Sequence, residues 1–267
     1  VKLTPLLLTA FSLLLSGAAA PVAAAAERVT VAAAISLKEG LQDVAKAYAA
    51  ETGVAVEFTF GSSGQLMAQV KNGAPIDVFV SAAAKQVDDL AREKLVDEAT
   101  RRVVAGNALV LIVPAGAASP PTSLKDLADP RHRKVATGDP KTVPAGEYAR
   151  QVLDALKLSD AVRDRTVHGS NVRQVLDYVE RGEVAAGLVY HTDAVQAGPK
   201  VRVVERADPA LHAPIEYPAA VVSASKRREA AGRFLDYLAT GPAQRALAAR
   251  GFTPPPAPPV RPGGPKE

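Results

Sequence analysis

Val29-Thr-Val-Ala-Ala-Ala34, followed without a break by Ile35-Ser-Leu-Lys-Glu39, reads as a buried strand delivered straight into a helix. Its strand half is an unbroken apolar run, the mark of a strand covered on both faces. Ser36 and Glu39 stand at the spacing of a capping box. Leu37, Leu41, Val44, Ala45 and Tyr48 then share one helical face, and Gly53 sits where a helix-ending glycine belongs.

Working outward, the same alternation returns. Residues 54–60 form a strand, Gly61-Ser-Ser-Gly64 a turn, 65–71 a short helix stopped by Asn72-Gly73, and 77–81 the next strand. Strands alternating with helices imply a mostly parallel sheet with helices on both faces. After a helix at 85–94, the run 108–113 is a strongly apolar strand, and the pattern restarts with 123–127 and 134–137. Pro144 begins a helix to 156, Ser170 or Asn171 caps another to 180, and Gly187-Leu-Val-Tyr190 is a strand that hands over to a helix. A strand at 217–223 and helices at 226–239 and 242–250 close the series. Two α/β lobes fit this order better than one long sheet. The expected division is 27–107 with 214–253 for lobe 1 and 108–213 for lobe 2.

The flanks read differently. Lys2, an apolar stretch from Leu6 to Leu15, Gly17, Pro21 and Ala23-Ala-Ala-Ala26 have the layout of a secretory signal. Residues 1–26 are therefore expected to be removed. Residues 254–267 hold seven of the 21 prolines and are expected to form a disordered tail.

Composition narrows the chemistry. With no cysteine in 267 residues, disulfide scaffolds, iron–sulfur clusters, thiol catalysis and a lipid-anchoring cysteine are excluded. Four scattered histidines make a zinc site improbable, and no residue is expected to coordinate a metal directly. The 32 Lys and Arg against 28 Asp and Glu leave a net charge of +4, with both signs interspersed, so no nucleic-acid partner is expected. Gly61-Ser-Ser-Gly64 is not a nucleophile elbow, and neither a phosphate-binding P-loop nor a dinucleotide fingerprint occurs. No resident cofactor is expected, and the reading is of a protein that is not an enzyme.

In open α/β sheets, ligands bind beyond the carboxyl ends of strands, where helix N-termini point free N–H groups. Five junctions fit: 34–36, 61–64, 143–146, 170–172 and 189–190. Each offers small residues or a hydroxyl, suited to backbone and hydroxyl donors around an anion. Taken singly, each also reads as a plain cap or core residue.

Together they carry a resemblance. Val31-Ala-Ala-Ala-Ile-Ser-Leu37, Phe60-Gly-Ser-Ser-Gly-Gln-Leu66, Gly73-Ala-Pro-Ile-Asp-Val-Phe-Val-Ser-Ala82, Gly138-Asp-Pro-Lys-Thr-Val-Pro-Ala-Gly-Glu-Tyr-Ala149, Asn171-Val-Arg-Gln-Val-Leu176 and Gly187-Leu-Val-Tyr-His-Thr-Asp-Ala194 follow one another in order. Over about 28–253 the chain resembles the periplasmic molybdate-binding proteins of molybdate ABC transporters. The resemblance implies a two-lobed periplasmic binding-protein fold closing on molybdate or tungstate. It also implies delivery to an inner-membrane ABC permease, and a monomer free in the periplasm. By motif, the implied ligand groups are the Ser36 hydroxyl, the Ser63 hydroxyl and N–H, the Ala145 N–H, the Val172 N–H and the Tyr190 hydroxyl. Longer metal–oxygen bonds set these anions apart from sulfate, and a donor-only cage disfavours protonated phosphate. Gly64 replaces a small polar residue often seen there, removing one donor. His191 is read as a rim residue whose titration modulates affinity between about pH 5 and 8. A same-fold binder of another oxyanion such as sulfate, and a secreted hydrolase using Ser63 with a histidine, are the alternative readings.

Overall fold

The computed structural model describes residues 27–255. The expected signal at 1–26 and all of the expected tail beyond Pro255 lie outside those residues.

Strand β1 (Arg28–Ala34) runs parallel to β2 (Ala55–Gly61) on one side and to β3 (Val78–Val80) on the other. Helix α1 (Lys38–Thr52) connects the first two, and α2 (Ser63–Lys71) follows the second. The unbroken apolar character of β1 has its reason here, since Val29 and Val31 to Ala33 are fully buried in the middle of the sheet. Gly53 ends α1 in a left-handed conformation at φ 73°, and its N–H bonds the Ala49 carbonyl. Helix α3 (Ala84–Arg92) and the long strand β4 (Val96–Gly106) complete the first pass.

The chain then crosses into a second sheet. It contains β5 (Leu109–Pro114), β6 (Val135–Gly138), β7 (Thr166–Gly169), β8 (Ala186–Tyr190) and β9 (Val201–Arg206) in the order β7-β6-β8-β5-β9. Helices α4 (Pro144–Ala155), α5 (Ser159–Val162), α6 (Val172–Glu180) and α7 (His191–Ala197) belong to this half. Strand β10 (Glu216–Val222) returns to the first sheet, whose order is β2-β1-β3-β10-β4, and α8 (Arg228–Leu238) and α9 (Gly241–Ala249) pack behind it.

Each sheet is mixed. In the first, β10 alone runs against its neighbours β3 and β4; in the second, β5 alone runs against β8 and β9. The reversed strand is in both cases the first one after a crossover. A chain leaving one sheet at its carboxyl edge enters the other from the facing edge and must run away from it. The carboxyl ends of the remaining strands therefore face each other across one cleft. The expectation of mostly parallel sheets holds for strand direction, four of five in each sheet, while half of the pairings are antiparallel.

Three features depart from the sequence reading. Residues 123–127 are not a regular element of a sheet; a 3-10 turn, Lys125–Ala128, occupies the site instead. Strands β4, β7 and β9 were not anticipated. All three are sheet edges whose polar side chains face water, as in Asp97-Glu-Ala-Thr-Arg-Arg102, so the periodic apolar signal is weak. Finally, Ser36 is not a helix cap. Ile35–Leu37 forms a 3-10 turn ahead of α1, whose capping position carries no side-chain bond.

Candidate ligand-binding site

The five positions singled out in the sequence all lie at the facing carboxyl edges, and all are buried. Ser36 sits in the 3-10 turn that ends β1, its Oγ 3.0 Å from the Tyr217 hydroxyl on β10. At Gly61-Ser-Ser-Gly64 the two serines divide their roles. Ser62 caps α2, accepting from the Gln65 N–H at 3.4 Å, while Ser63, fully buried, turns its hydroxyl inward and accepts from the Ala82 N–H at 3.0 Å.

Ala145 lies in the first turn of α4, behind Pro144, which loses nothing there because a first-turn N–H has no helical acceptor. Val172 opens α6 after Asn171, whose side chain accepts from the Gln174 N–H at 3.0 Å. Tyr190 ends β8, and Asp193 reaches back to its N–H at 3.3 Å.

Direct contacts bring these groups together across the lobes. The Tyr190 hydroxyl reaches the Ala82 carbonyl at 3.4 Å, beside Ser63. The Gly64 N–H donates to the Thr142 carbonyl at 2.9 Å, setting the start of α2 against the start of α4. Arg173 donates from both terminal nitrogens to Glu39, at 3.0 and 2.9 Å, and so joins the start of α6 to the turn that carries Ser36. Tyr190 packs against Tyr148 and Tyr217, with ring centroids 6.5 and 5.9 Å apart.

The electrostatics suit an anion without a dedicated cation. The N–H groups of Ser63, Ala145 and Val172 stand in first helical turns, where the backbone supplies no acceptor. Among the described residues, no turn or loop carbonyl takes them either. These donors carry the positive ends of three helix dipoles. The cation between the lobes here, Arg173, is flanked by two carboxylates, Glu39 and the fully buried Asp193, whose Oδ1 lies 3.4 Å from Arg173 Nε.

Burial pushes the Tyr190, Tyr217 and Tyr148 phenols up, so each stays protonated and able to donate. Burial also pushes the Asp193 carboxyl up, to about 6, against the pull of Arg173. For Glu39 burial acts in the same sense, but the hydrogen bonds and charge of Arg173 outweigh it and the carboxyl sits below its ordinary value. Burial and then Arg206 push His191 down. That narrows the expected range for its titration to the acid side.

The hydrolase alternative finds no support. The His168 ring meets Thr137 at 3.2 Å, and His191 lies against Gly251. Among the described residues no histidine bonds Ser36 or Ser63, and no cluster of potential ligands is arranged for a metal ion.

Several contributors were not identified from sequence. Tyr217 and Asn107 lie behind Ser36, and Ala82 lies behind Ser63. Gly64, read as a lost donor, has a positive role: a Cβ there would stand 2.7 Å from the Thr142 carbonyl oxygen and 2.8 Å from its Cα. Only glycine lets the two backbones meet. The Ser-x-x-Glu spacing had suggested a cap, but Glu39 turns to Arg173 instead.

Comparison with known proteins identifies the family and supports the fold. Residues 29–253 match the model of the family described as bacterial extracellular solute-binding protein. The chain is 39% identical over 237 residues to the molybdate-binding protein ModA of Haemophilus influenzae, covering 86% of this chain and 91% of that protein. It is 38% identical to the putative ABC transporter substrate-binding lipoprotein YvgL of Bacillus subtilis, covering 84% of this chain and 86% of that one. Among solved structures, the periplasmic molybdate-binding protein of Azotobacter vinelandii superposes with a TM-score of 0.77 at 27% identity, over 85% of this chain and 99% of that one. Matched over nearly all of its described length, the chain belongs to the molybdate-binding protein family of bacterial extracellular solute-binding proteins, a family of binding proteins and not of enzymes.

Proposed function

We propose that this protein captures molybdate or tungstate between its two lobes, outside the inner membrane, and delivers the anion to an inner-membrane ABC transporter permease. The Ser36 hydroxyl, the Ser63 hydroxyl and N–H, the Ala145 and Val172 N–H groups and the Tyr190 hydroxyl hold the oxygens in this reading. The observation that carries it is the convergence of buried neutral donors from both lobes, three of them first-turn N–H groups without an acceptor among the described residues.

A buried dianion requires every oxygen to be hydrogen-bonded. Neutral donors and helix ends do this without the tight ion pair that would slow release to a transporter. Because the donors are split between lobes, the ligand favours the closed arrangement by contacts it makes only there. Close backbone contacts such as Gly64 with Thr142 fix how far the lobes can approach. A cage of fixed size then favours the larger molybdate and tungstate over sulfate.

Calorimetry of the protein with molybdate, tungstate, sulfate and phosphate tests the proposal. Molybdate and tungstate are expected to bind below about 1 μM, near −8 kcal/mol or tighter, and to be weakened about tenfold or more by Tyr190→Phe and by Ser63→Ala. Failure of both anions to bind in that range rejects the function. Normal binding by both variants rejects the residue assignment alone.

A further inference from the structure

We infer that Asn107 and Tyr217 are positioning residues that aim the Ser36 proton at the ligand, and that this strengthens the site's preference for fully deprotonated oxyanions. The inference rests on the reading of Ser36 and Ser63 as ligand donors. It concerns residues behind them that touch no ligand themselves.

The order of protons can be read from one end. Asn107 lies in the crossover between β4 and β5, and its Oδ1 accepts from the Ala108 N–H at 2.8 Å. That bond fixes which way the amide faces, so Nδ2 is the donor to both Thr192 Oγ1 at 2.9 Å and the Tyr217 hydroxyl at 3.0 Å. Tyr217 is fully buried, and its hydroxyl has two polar neighbours among the described residues: Asn107, which donates to it, and Ser36 Oγ at 3.0 Å. The phenol proton therefore goes to Ser36. The opposite order, with Ser36 donating to Tyr217, strands a buried phenol proton without an acceptor.

With Tyr217 donating to it, Ser36 has no acceptor for its own proton among the described residues, which leaves a ligand oxygen to take it. A ligand O–H aimed at Ser36 would meet a proton. Ser63 is arranged in the same way, since the Ala82 N–H takes one lone pair of its oxygen and, among the described residues, no acceptor takes its proton, which is left for the ligand. The backbone N–H groups of Ser63, Ala145 and Val172 cannot accept at all, which leaves the Tyr190 hydroxyl, 3.4 Å from the Ala82 carbonyl, as the amphoteric group of the cage. Two backing hydrogen bonds, from Tyr217 on β10 to Ser36 and from Ala82 just after β3 to Ser63, thus turn amphoteric serines into directed donors.

Sulfate and hydrogen phosphate separate this effect from size, because they share shape and charge and differ by a proton. Their competition against bound molybdate is measured near pH 8, where phosphate carries one proton, for wild type, Tyr217→Phe and Asn107→Asp. Wild type is expected to prefer sulfate over hydrogen phosphate. Tyr217→Phe should lower molybdate affinity about 2- to 12-fold and narrow the sulfate preference by a similar factor. Asn107→Asp replaces a donor by an acceptor, reverses the order to Ser36, Tyr217, Asp, and should narrow the preference further or invert it. If the aspartate variant does not fold, Tyr217→Phe decides alone, since it keeps the ring that packs on Phe252 and Tyr190. A wild-type ratio in the variants, including an equal loss for all three anions, overturns the inference while the function stands. Wild type that does not bind molybdate overturns both.

Discussion

Arg173, at the start of α6, grips Glu39, at the start of α1, through two parallel hydrogen bonds of 3.0 and 2.9 Å that span the two lobes. Both side chains are about one-fifth exposed, so the pair lies between the nearly worthless surface ion pair and the fully buried one. Glu39→Gln removes the charge of one partner and leaves Arg173 with Asp193. It should weaken molybdate binding about 5- to 30-fold, allowing for solvent screening, with little change in the melting temperature of the ligand-free protein. Arg173→Met strands two carboxylates, one of them fully buried, and should lower that melting temperature as well. Calorimetry and thermal melts of the two variants check the contrast; equal melting losses in both would contradict it.

Asp193 gives this cluster a distinct pH signature. Its folded-state value, about 6, lies above that of an unfolded aspartate. The native state thus holds a proton that the unfolded chain has released, and this group lowers stability as pH rises from about 4 through 6. Carboxylates held low by their partners, such as Glu39, act oppositely: their contribution is present above the unfolded value and is lost as pH falls. The comparison is therefore a difference. Asp193→Asn keeps an oxygen for the Tyr190 N–H, and its stability relative to wild type should rise by about 2–3 kcal/mol between pH 4 and 7. Chemical denaturation across that range measures it, and a flat difference would show that Asp193 is ionised throughout.

Gly64→Ala separates folding from closure. The position carries no left-handed backbone requirement, so alanine suits α2 and should leave the ligand-free protein as stable or slightly more so. In the closed form its Cβ would collide with Thr142 backbone atoms, which cannot swing aside. Overpacking of this kind costs about 1–3 kcal/mol, so molybdate affinity should fall about 5- to 150-fold. Unchanged affinity would mean that the lobes do not meet at this point when ligand is bound.

His191 should have little part in binding at neutral pH. Burial and Arg206 hold it below its ordinary value, so it is uncharged from about neutrality upward. Molybdate affinity is expected to be constant between about pH 7 and 8 and the same in His191→Gln. A rise in affinity on acidification within that interval, absent from the variant, would restore His191 as a titrating rim group.

What could be read in advance follows from the range of the forces involved. Strand–helix junctions are local, and Val29 to Ala34, Pro144 and Asn171 announce them through burial, fixed φ and capping. Edge strands β4, β7 and β9 were illegible because their ladders, not their side chains, hold them in the sheet. The closure contacts were illegible for a different reason. Glu39 with Arg173 are 134 residues apart and Ser36 with Tyr217 are 181 apart, and no local pattern records such partners. The capping-box spacing at Ser36 and Glu39 even pointed elsewhere, because both residues turn to partners supplied by distant parts of the chain.

The central claim is that one oxyanion is held by neutral donors contributed by both lobes. A crystal structure of the protein grown with molybdate, with the metal located by its anomalous scattering, tests it most directly. The account expects one strong peak in the cleft, with oxygens about 2.6–3.1 Å from the Ser36 and Ser63 hydroxyls, the Ser63, Ala145 and Val172 nitrogens and the Tyr190 hydroxyl. A peak bound within one lobe only, or one coordinated by Arg173 or another charged side chain in place of these donors, would contradict it.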